Sequence, residues 1–531
     1  MASDIDLQIA PAFFVDPGET AWRQYAPVMG AIAIALTGLA LVLINPRGYI
    51  GGGWDDAQYM NAVIAWSQSG PNVGTNHWAL RWPLVLGNVL AVQIFGFSRT
   101  AIMVPAILTY LACGLVLYGF IGKLAGWRAG FVAALALLTI PELGRWSTVI
   151  YPDAPEGLLW CVSLGCFRLG SDRQTQRGRE WLLASGLAAG LAWSLRETAL
   201  GLWAVYGLAF LLSYRIRRAR YGWVALAALP APLIEYACYW HLTGDPLYRL
   251  HADLGHIGVP SNHLAGNIPL GASPLLNPLL MSHWTGAGPV RLHWMLDPYL
   301  NLFADNLAGL IFVILAVTGW ALWRARRDGE QSRMTNTLRD LCQALLVVMA
   351  ANILINLYVL AVRPGPRMFL PALMAGSALI GIAFAHINIP WLRRSIAALL
   401  VIKFLITAII IDVAPNYARV ASISDQIVRS VSGPIYVNQE TNLHLQFAPA
   451  DFRARLAQGD ASVGSYYLAV GAPNELMSAA PNPDRWTLVS AADTGQTPWT
   501  VRLLSPPVHA FGLMKNFEYP AVQARLYQCT D

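Results

Sequence analysis

The strongest constraint on this chain is a succession of apolar segments that no soluble core could absorb. Stretches of about 20 apolar residues suffice to cross a bilayer. Candidates recur near residues 27–45, 101–121, 129–142, 155–170, 182–196, 198–214, 222–240, 302–323, 341–362, 367–386 and 395–412. Of the 531 residues 56% are apolar and 12% charged, whereas an average soluble domain is about a quarter charged. A soluble enzyme of this length would need far more charged surface to cover its domains. The scarcity of charge excludes disorder, and 45 glycines with 33 prolines exclude a coiled coil. The chain reads as a polytopic membrane protein.

Charge then sets the topology. The net charge of +6 is no nucleic-acid signal here, because in a membrane chain the arginines report orientation. Basic clusters stand at Lys123/Arg128, Arg173/Arg177/Arg179, Arg215/Arg217/Arg218/Arg220, Arg324/Arg326/Arg327/Arg333 and Arg393/Arg394. All fall on one side if the apolar segment 82–97 lies at the outer interface instead of spanning. The expectation is therefore an all-α membrane protein of about 11 spans, placed in a cell inner membrane or plasma membrane. Residues 1–26 are expected in the cytoplasm and 27–412 in the membrane, with long outer loops at 46–99 and 241–301. The mixed-charge N-terminus has no basic n-region, so the first span is expected to be retained.

Residues 413–531 change character. Pro, Asp, Asn and Gln return, and short strand-like runs appear (PIYVN, YYLAV, WTLVS, TVRLL) between helical patterns near 418–431 and 452–457. This region is expected to form a small extracytoplasmic α/β domain. The six cysteines show neither a disulfide framework nor zinc spacing.

Two carboxylate sites stand out. The first outer loop reads Gly51-Gly52-Gly53-Trp54-Asp55-Asp56-Ala57-Gln58-Tyr59, and a later one Tyr151-Pro152-Asp153-Ala154-Pro155-Glu156. Either could cap a helix. The topology brings both to the same face, where a costly carboxylate is a functional candidate and could act as a general base. Arginines on that face run against the positive-inside bias: Arg81, Arg99, Arg145, Arg196, and the pair in Arg363-Pro364-Gly365-Pro366-Arg367. They read either as interfacial anchors or as a phosphate site, and the Pro-rich pair favours phosphate. Histidines gather in the second outer loop (His241, His251, His256, His263, His283, His293) without HxH or HxxxH spacing. A structural or substrate-lining role is expected over a metal.

The order of these features resembles the C-type glycosyltransferases of membranes, nearest to the superfamily of protein O-mannosyltransferases and lipid A aminoarabinose transferases. Asp55-Asp56-Ala57-Gln58-Tyr59 resembles their acidic pair followed by Tyr, and Asn76-His77-Trp78-Ala79-Leu80-Arg81-Trp82-Pro83 their approach to an interfacial helix. Asp153-Ala154-Pro155, Arg196-Glu197-Thr198 and Arg367-Met368-Phe369-Leu370-Pro371 resemble three further elements. The chain departs at Asp56, where Glu is usual, and at Met368, where Tyr is usual. The Trp-Trp-Asp signature of oligosaccharyltransferases is absent.

The resemblance implies transfer with inversion, on the outer face, from a sugar on a polyprenyl phosphate to a lipid, glycan or protein. It implies Asp55 and Asp153 as catalytic carboxylates with Asp56 in support. Arg367, Arg363, Arg81, Tyr59, His77, Arg196 and Glu197 would bind substrate. No glycine-rich phosphate loop precedes a helix, and no cofactor or catalytic metal is expected, since arginine can neutralise a leaving phosphate. The alternatives are a transporter or flippase, a ligase or polymerase using a diphosphate-linked glycan, and a scaffold carrying a C-terminal binding module. A transporter should place its ionisable groups near mid-bilayer.

Overall fold

The computed structural model describes residues 22–49, 54–73, 78–172, 177–257, 282–285, 288–291, 319, 336–359, 366–386, 389–412, 416–458, 463–471, 485–494 and 522–530. The apolar segment 302–323, His77, Arg363 and the strand-like run TVRLL lie outside these residues. Among the described residues, four helices are long and apolar enough to cross a bilayer: within Tyr25–Leu43, within Arg99–Ala125, within Arg367–His386, and the one beginning at Pro390. Shorter apolar helices fill the spaces between them. The chain is a multi-pass membrane protein.

Among the described residues, twelve α-helices lie before residue 258: α1 (Trp22–Leu43), α2 (Trp54–Ser69), α3 (Trp82–Phe95), α4 (Arg99–Ala125), α5 (Trp127–Leu138), α6 (Pro141–Arg145), α7 (Asp153–Gly170), α8 (Gly178–Leu195), α9 (Leu200–Leu211), α10 (Tyr221–Ala228), α11 (Pro230–Thr243) and α12 (Tyr248–Ile257). A two-stranded hairpin, β1 (Ser282–Thr285) and β2 (Gly288–Arg291), follows. Then come α13 (Asn336–Leu354), α14 (Leu370–His386) and α15 (Pro390–Asp412). Helix α3 has 14 residues, or about 21 Å, well short of the ~30 Å apolar thickness of a bilayer.

Helix α14 is the axle of the bundle, buried along most of its length against α5, α7 and α13. Small residues let the backbones meet there. A Cβ built on Gly381 would stand 2.1 Å from the carbonyl oxygen of Ala129 on α5. A second seam joins α8 to α10, where Cβ atoms on Gly186 and Gly190 would lie 2.1 and 2.2 Å from the carbonyl oxygens of Val224 and Ala228. In lipid, where apolar burial does not drive association, such small-xxx-small seams bring helices close enough for dispersion to hold them.

The apolar segment 129–142 does not continue as one helix. Helix α5 stops after 12 residues, about 18 Å of rise, because Pro141 has no N–H to continue the ladder. Its last carbonyls are taken up from α15: the Lys403 ammonium donates to Ala136 O and to Thr139 Oγ1, and the Thr407 hydroxyl donates to Thr139 O at 2.6 Å. Irregular backbone at membrane depth survives only when buried in protein and satisfied in this way. The freed segment 139–152 lines one end of the bundle, delivers Trp146 and Tyr151, and leads into α7 at Asp153.

Residues 416–530 contribute α16 (Val420–Val428), α17 (Gln439–His444), α18 (Ala450–Arg453) and five strands: β3 (Ile435–Tyr436), β4 (Leu456–Ala457), β5 (Tyr466–Gly471), β6 (Trp486–Asp493) and β7 (Gln523–Cys529). The strand order is β4-β3-β5-β7-β6, with β3 parallel to β4 and β5, and β7 antiparallel to β5 and β6. Val420, Ile427, Ile435, Leu468 and Leu526 are among its core residues. This sheet unit is fastened to the bundle. The Tyr49 hydroxyl donates to Leu443 O and His444 O at 2.8 and 2.9 Å, and Arg99 Nη2 donates to Ala418 O at 2.7 Å. His444 is buried and stacked on Tyr417 at 4.6 Å. Burial pushes its imidazole down to about 4, so the ring is neutral there.

Candidate active site

Both sequence-flagged carboxylates come to one site at the end of the bundle where α2 begins and α8 ends. Asp55 lies in the first turn of α2, and its Oδ2 accepts a hydrogen bond of 2.8 Å from the Tyr151 hydroxyl. Arg367, in the 3-10 turn Pro366–Phe369, brings Nη2 within 3.6 Å of the same oxygen, and its guanidinium lies 4.7 Å from the centre of the Tyr151 ring. Asp55 and Arg367 keep side-chain exposures of 37% and 30%, so a substrate can reach both.

Asp153 sits beside this trio, buried, in an ion pair with Arg196. It does not cap α7: Pro152 occupies that position and no side chain caps the helix. The ion pair takes Oδ1, and Oδ2 is buried without a hydrogen-bond partner. Glu142, Trp146, Tyr151, Asp153 and Arg367 line one small cleft between α4, the 139–152 segment and α14. A buried carboxyl oxygen with no partner, on a residue that lines a cleft, is a group that a substrate hydroxyl or ammonium could satisfy.

Arg196 is delivered by a break in the chain. The apolar run from 182 to 214 divides at Arg196, whose extended backbone (φ −163°, ψ 146°) ends α8, and a 3-10 turn over Glu197–Ala199 leads into α9. Arg196 Nη2 also reaches Met368 Sδ at 2.5 Å, where the resemblance leads one to expect a Tyr. The turn carrying Arg367 and Met368 is held in turn by Asn356 Nδ2 donating to Met368 O at 2.8 Å. Asn356 stands in a π-helical stretch, Ile355–Val359, that follows α13.

Tyr59, Arg81 and Glu197 form a second group. Arg81 donates to the Tyr59 hydroxyl and lies 3.8 Å from Glu197. Glu197 pairs with Arg249 of α12 at 2.6 Å, and Arg249 pairs with Glu235 of α11 at 3.0 Å. Glu235 accepts a 3.1 Å bond from the Trp82 indole, which ties in α3. Arg81, Tyr59 and Arg196 are buried and already engaged by protein groups. Asp56 is buried as well, and its Oδ1 accepts from the Ala57 N–H at 3.1 Å.

Sequence reasoning missed Tyr151, Glu142, Arg249 and Glu235. Tyr151 was visible beside Asp153 in a Tyr-Pro-Asp run. Nothing local marked Arg249, whose partners lie 14 and 52 positions away. Of the other arginines expected on the outer face, Arg99 serves the sheet unit and Arg145 pairs with Glu142 at 3.5 Å. Among the described residues, no three His, Cys, Asp or Glu side chains gather as a metal site, and His251 is bonded to Asp245 at 2.6 Å. His263 and His293 lie outside the described residues.

A protein-family model described as dolichyl-phosphate-mannose-protein mannosyltransferase matches residues 78–240. Over 133 residues the chain is 37% identical to undecaprenyl phosphate-alpha-4-amino-4-deoxy-L-arabinose arabinosyl transferase 1 of Sodalis glossinidius, a match covering 24% of this chain and 23% of that protein. The fold is similar to that of ArnT from Cupriavidus metallidurans bound to undecaprenyl phosphate, with TM-score 0.55, 14% identity, and 94% and 98% of the two chains covered. It is also similar to the archaeal oligosaccharyltransferase AglB from Archaeoglobus fulgidus, with TM-score 0.51, 12% identity, and coverage of 80% and 64%. These matches liken the chain to the protein O-mannosyltransferases and aminoarabinose transferases, and it spans about a quarter of the length of the curated relative that it matches.

Proposed function

We propose that this protein is an inverting glycosyltransferase that moves a sugar from a polyprenyl phosphate to a lipid, glycan or protein acceptor on the outer face of the membrane. The observation that carries the reading is the pairing of Asp55 with Arg367 and Tyr151, exposed enough for substrate, beside the unpartnered oxygen of Asp153. Asp55 removes the proton from an acceptor O–H or N–H while that atom attacks the anomeric carbon. The bond from that carbon to the phosphate oxygen breaks on the opposite side, and its electron pair leaves with the phosphate. The departing group gains one negative charge, which Arg367 is positioned to neutralise with a planar fork. Arg363, Arg81 and His77 complete the proposed donor side. The burial of Arg196 and the engagement of Glu197 in ion pairs with Arg81 and Arg249 support a role in orienting Asp153 and Arg81 over direct substrate contact.

The orientation follows the charge argument, with the N-terminus cytoplasmic and residues 413–531 outside as a separate α/β domain. The match to an arabinosyl transferase that uses undecaprenyl phosphate makes aminopentose and hexose conjugates of that lipid the first donors to test. Purified protein incubated with such a panel, and with glycolipid, glycan and peptide acceptors, should consume one donor and release polyprenyl phosphate. Vectorial movement of lipid without cleavage of any donor would make the protein a flippase instead.

A further inference from the structure

A second cavity lies far from this site. It holds about 330 Å³ between α4, α7, α9, α13 and α14, walled by Phe120, Leu124, Trp160, Leu212, Met374 and other apolar side chains. Arg168, Tyr214 and Asp340 close one end. Arg168 is 15 residues beyond Asp153 on α7, about 22 Å along the helix, so this end lies at the opposite side of the bundle from the carboxylates. The volume is at the lower edge of the roughly 300–1,000 Å³ that ligand pockets occupy.

The polar end is strongly basic. The Arg215 guanidinium pairs with Asp340, and the Tyr214 hydroxyl donates to the other Asp340 oxygen at 3.0 Å. Arg218 donates to the carbonyls of Phe210 and Leu211, and Arg220 to the carbonyl of Gly170. Bonds to carbonyls fix a guanidinium without neutralising it. The groups that face Arg168 are Arg215, Tyr214, Asp340 and Asp172, so two aspartates stand against Arg168, Arg215, Arg218 and Arg220. The Nε atoms of both Arg168 and Arg215 are buried without hydrogen-bond partners. The turn that presents them is itself unusual. Ser213 and Arg215 adopt φ of 50° and 62°, a left-handed conformation that is strained at a non-glycine residue and collects at ligand clamps.

We infer that this is a binding site for an anionic phospholipid of the leaflet opposite the catalytic carboxylates, with one acyl chain in the apolar cavity and its phosphate on Arg168 and Arg215. Basic pockets between membrane helices select anionic head groups in this way. The charge excess, the two unspent Nε–H donors and the adjoining dry cavity each point to that chemistry. The inference does not depend on which reaction the outer site performs.

Native mass spectrometry of the detergent-purified protein tests it, with phosphatidylglycerol and phosphatidylethanolamine of identical chains as probes. The wild type should retain one phosphatidylglycerol in preference to phosphatidylethanolamine. Arg168→Gln combined with Arg215→Gln should weaken phosphatidylglycerol retention about tenfold or more, leave phosphatidylethanolamine unchanged, and preserve any donor turnover at the distant site. Ala209→Phe, which fills the cavity and spares the arginines, should weaken both lipids. Equal retention of the two lipids, or wild-type retention by the double variant, would overturn the inference. So would stoichiometric displacement of phosphatidylglycerol by undecaprenyl phosphate, since the cavity would then serve the donor's tail.

Discussion

Replacing either member of the Asp153–Arg196 pair separates two roles that the geometry superimposes on Asp153. The side chains are 7% and 9% exposed, so each single substitution leaves a full charge buried without its counter-ion. Breaking a buried pair from one side typically costs ~3–5 kcal/mol, a factor of roughly 10²–10³ or more in the folded-to-unfolded ratio. Asp153→Asn and Arg196→Gln should each lower the apparent unfolding midpoint in detergent by several degrees. The double variant removes both charges while keeping the shapes, so most of that loss should return as coupling between neighbours. Turnover should behave differently. The unpartnered Oδ2 of Asp153 belongs to a carboxyl group in the wild type and is replaced by part of an amide in the variant. Restored stability in the double variant should therefore come without restored donor consumption. If turnover recovers together with stability, Asp153 is a structural counter-ion and the chemistry belongs to Asp55 alone. If the single variants unfold like the wild type, the pair is not desolvated and the argument from burial fails.

Three other outcomes follow from the same geometry. Asp55→Asn should lower turnover by ~10²–10⁴-fold, the range for loss of a general base, while Tyr151→Phe, which removes one charge-assisted bond, should cost about ten- to a hundredfold; equal losses for both would place Tyr151 in the chemistry itself. Arg367→Lys should weaken donor use and Arg367→Ala weaken it further, measured as kcat/KM, because a point charge cannot match two phosphate oxygens; unchanged kinetics in both would make Arg367 an anchor. The imidazole of His444 falls from 6.5 to about 4 on burial, so the folded state favours the neutral ring. Its contribution is complete above pH 6.5 and is lost as the pH falls from there to about 4. That span is worth about 3 kcal/mol, and His444→Phe should flatten this limb of a stability–pH profile; an unchanged slope would show the ring to be solvated.

The bundle was legible in the sequence because hydropathy is a local property, and the carboxylates at Asp55 and Asp153 because charge is rare in such a chain. What escaped was long-range pairing. Nothing near Asp153 names Arg196 as its partner, since the two meet across 43 positions and only the packed helices bring them together. The end of α5 was missed for the same reason. The apolar run continues to Ile140 and Pro141, and the groups that satisfy the broken ladder come from Lys403 and Thr407. A lysine inside an apolar run reads as an anomaly until the carbonyls that it serves are seen. The strand at Gln523–Cys529 was passed over because its alternating pattern mixes Arg and Gln with only a few apolar residues, and its neighbours β5 and β6 supply the hydrogen bonds that define it.

The seam between α8 and α10 has a consequence for how the protein can discriminate among the substrates proposed for it. Its contact is main chain on main chain at Gly186 and Gly190, with no side chains between that could change rotamer. Turning α8 about its axis would swing larger neighbours into the carbonyls of α10, so the helix is locked in azimuth, and Arg196, one residue past its end, is aimed by glycines lower in the membrane. A site built on such a strut cannot adapt itself to a differently shaped sugar by re-aiming that guanidinium. Tolerance for varied donors or acceptors has to come from the parts that hang on side-chain contacts instead: the turn at Arg367, the segment that bears Trp146 and Tyr151, and α12. Evolution can retune those surfaces freely while the strut behind them stays fixed.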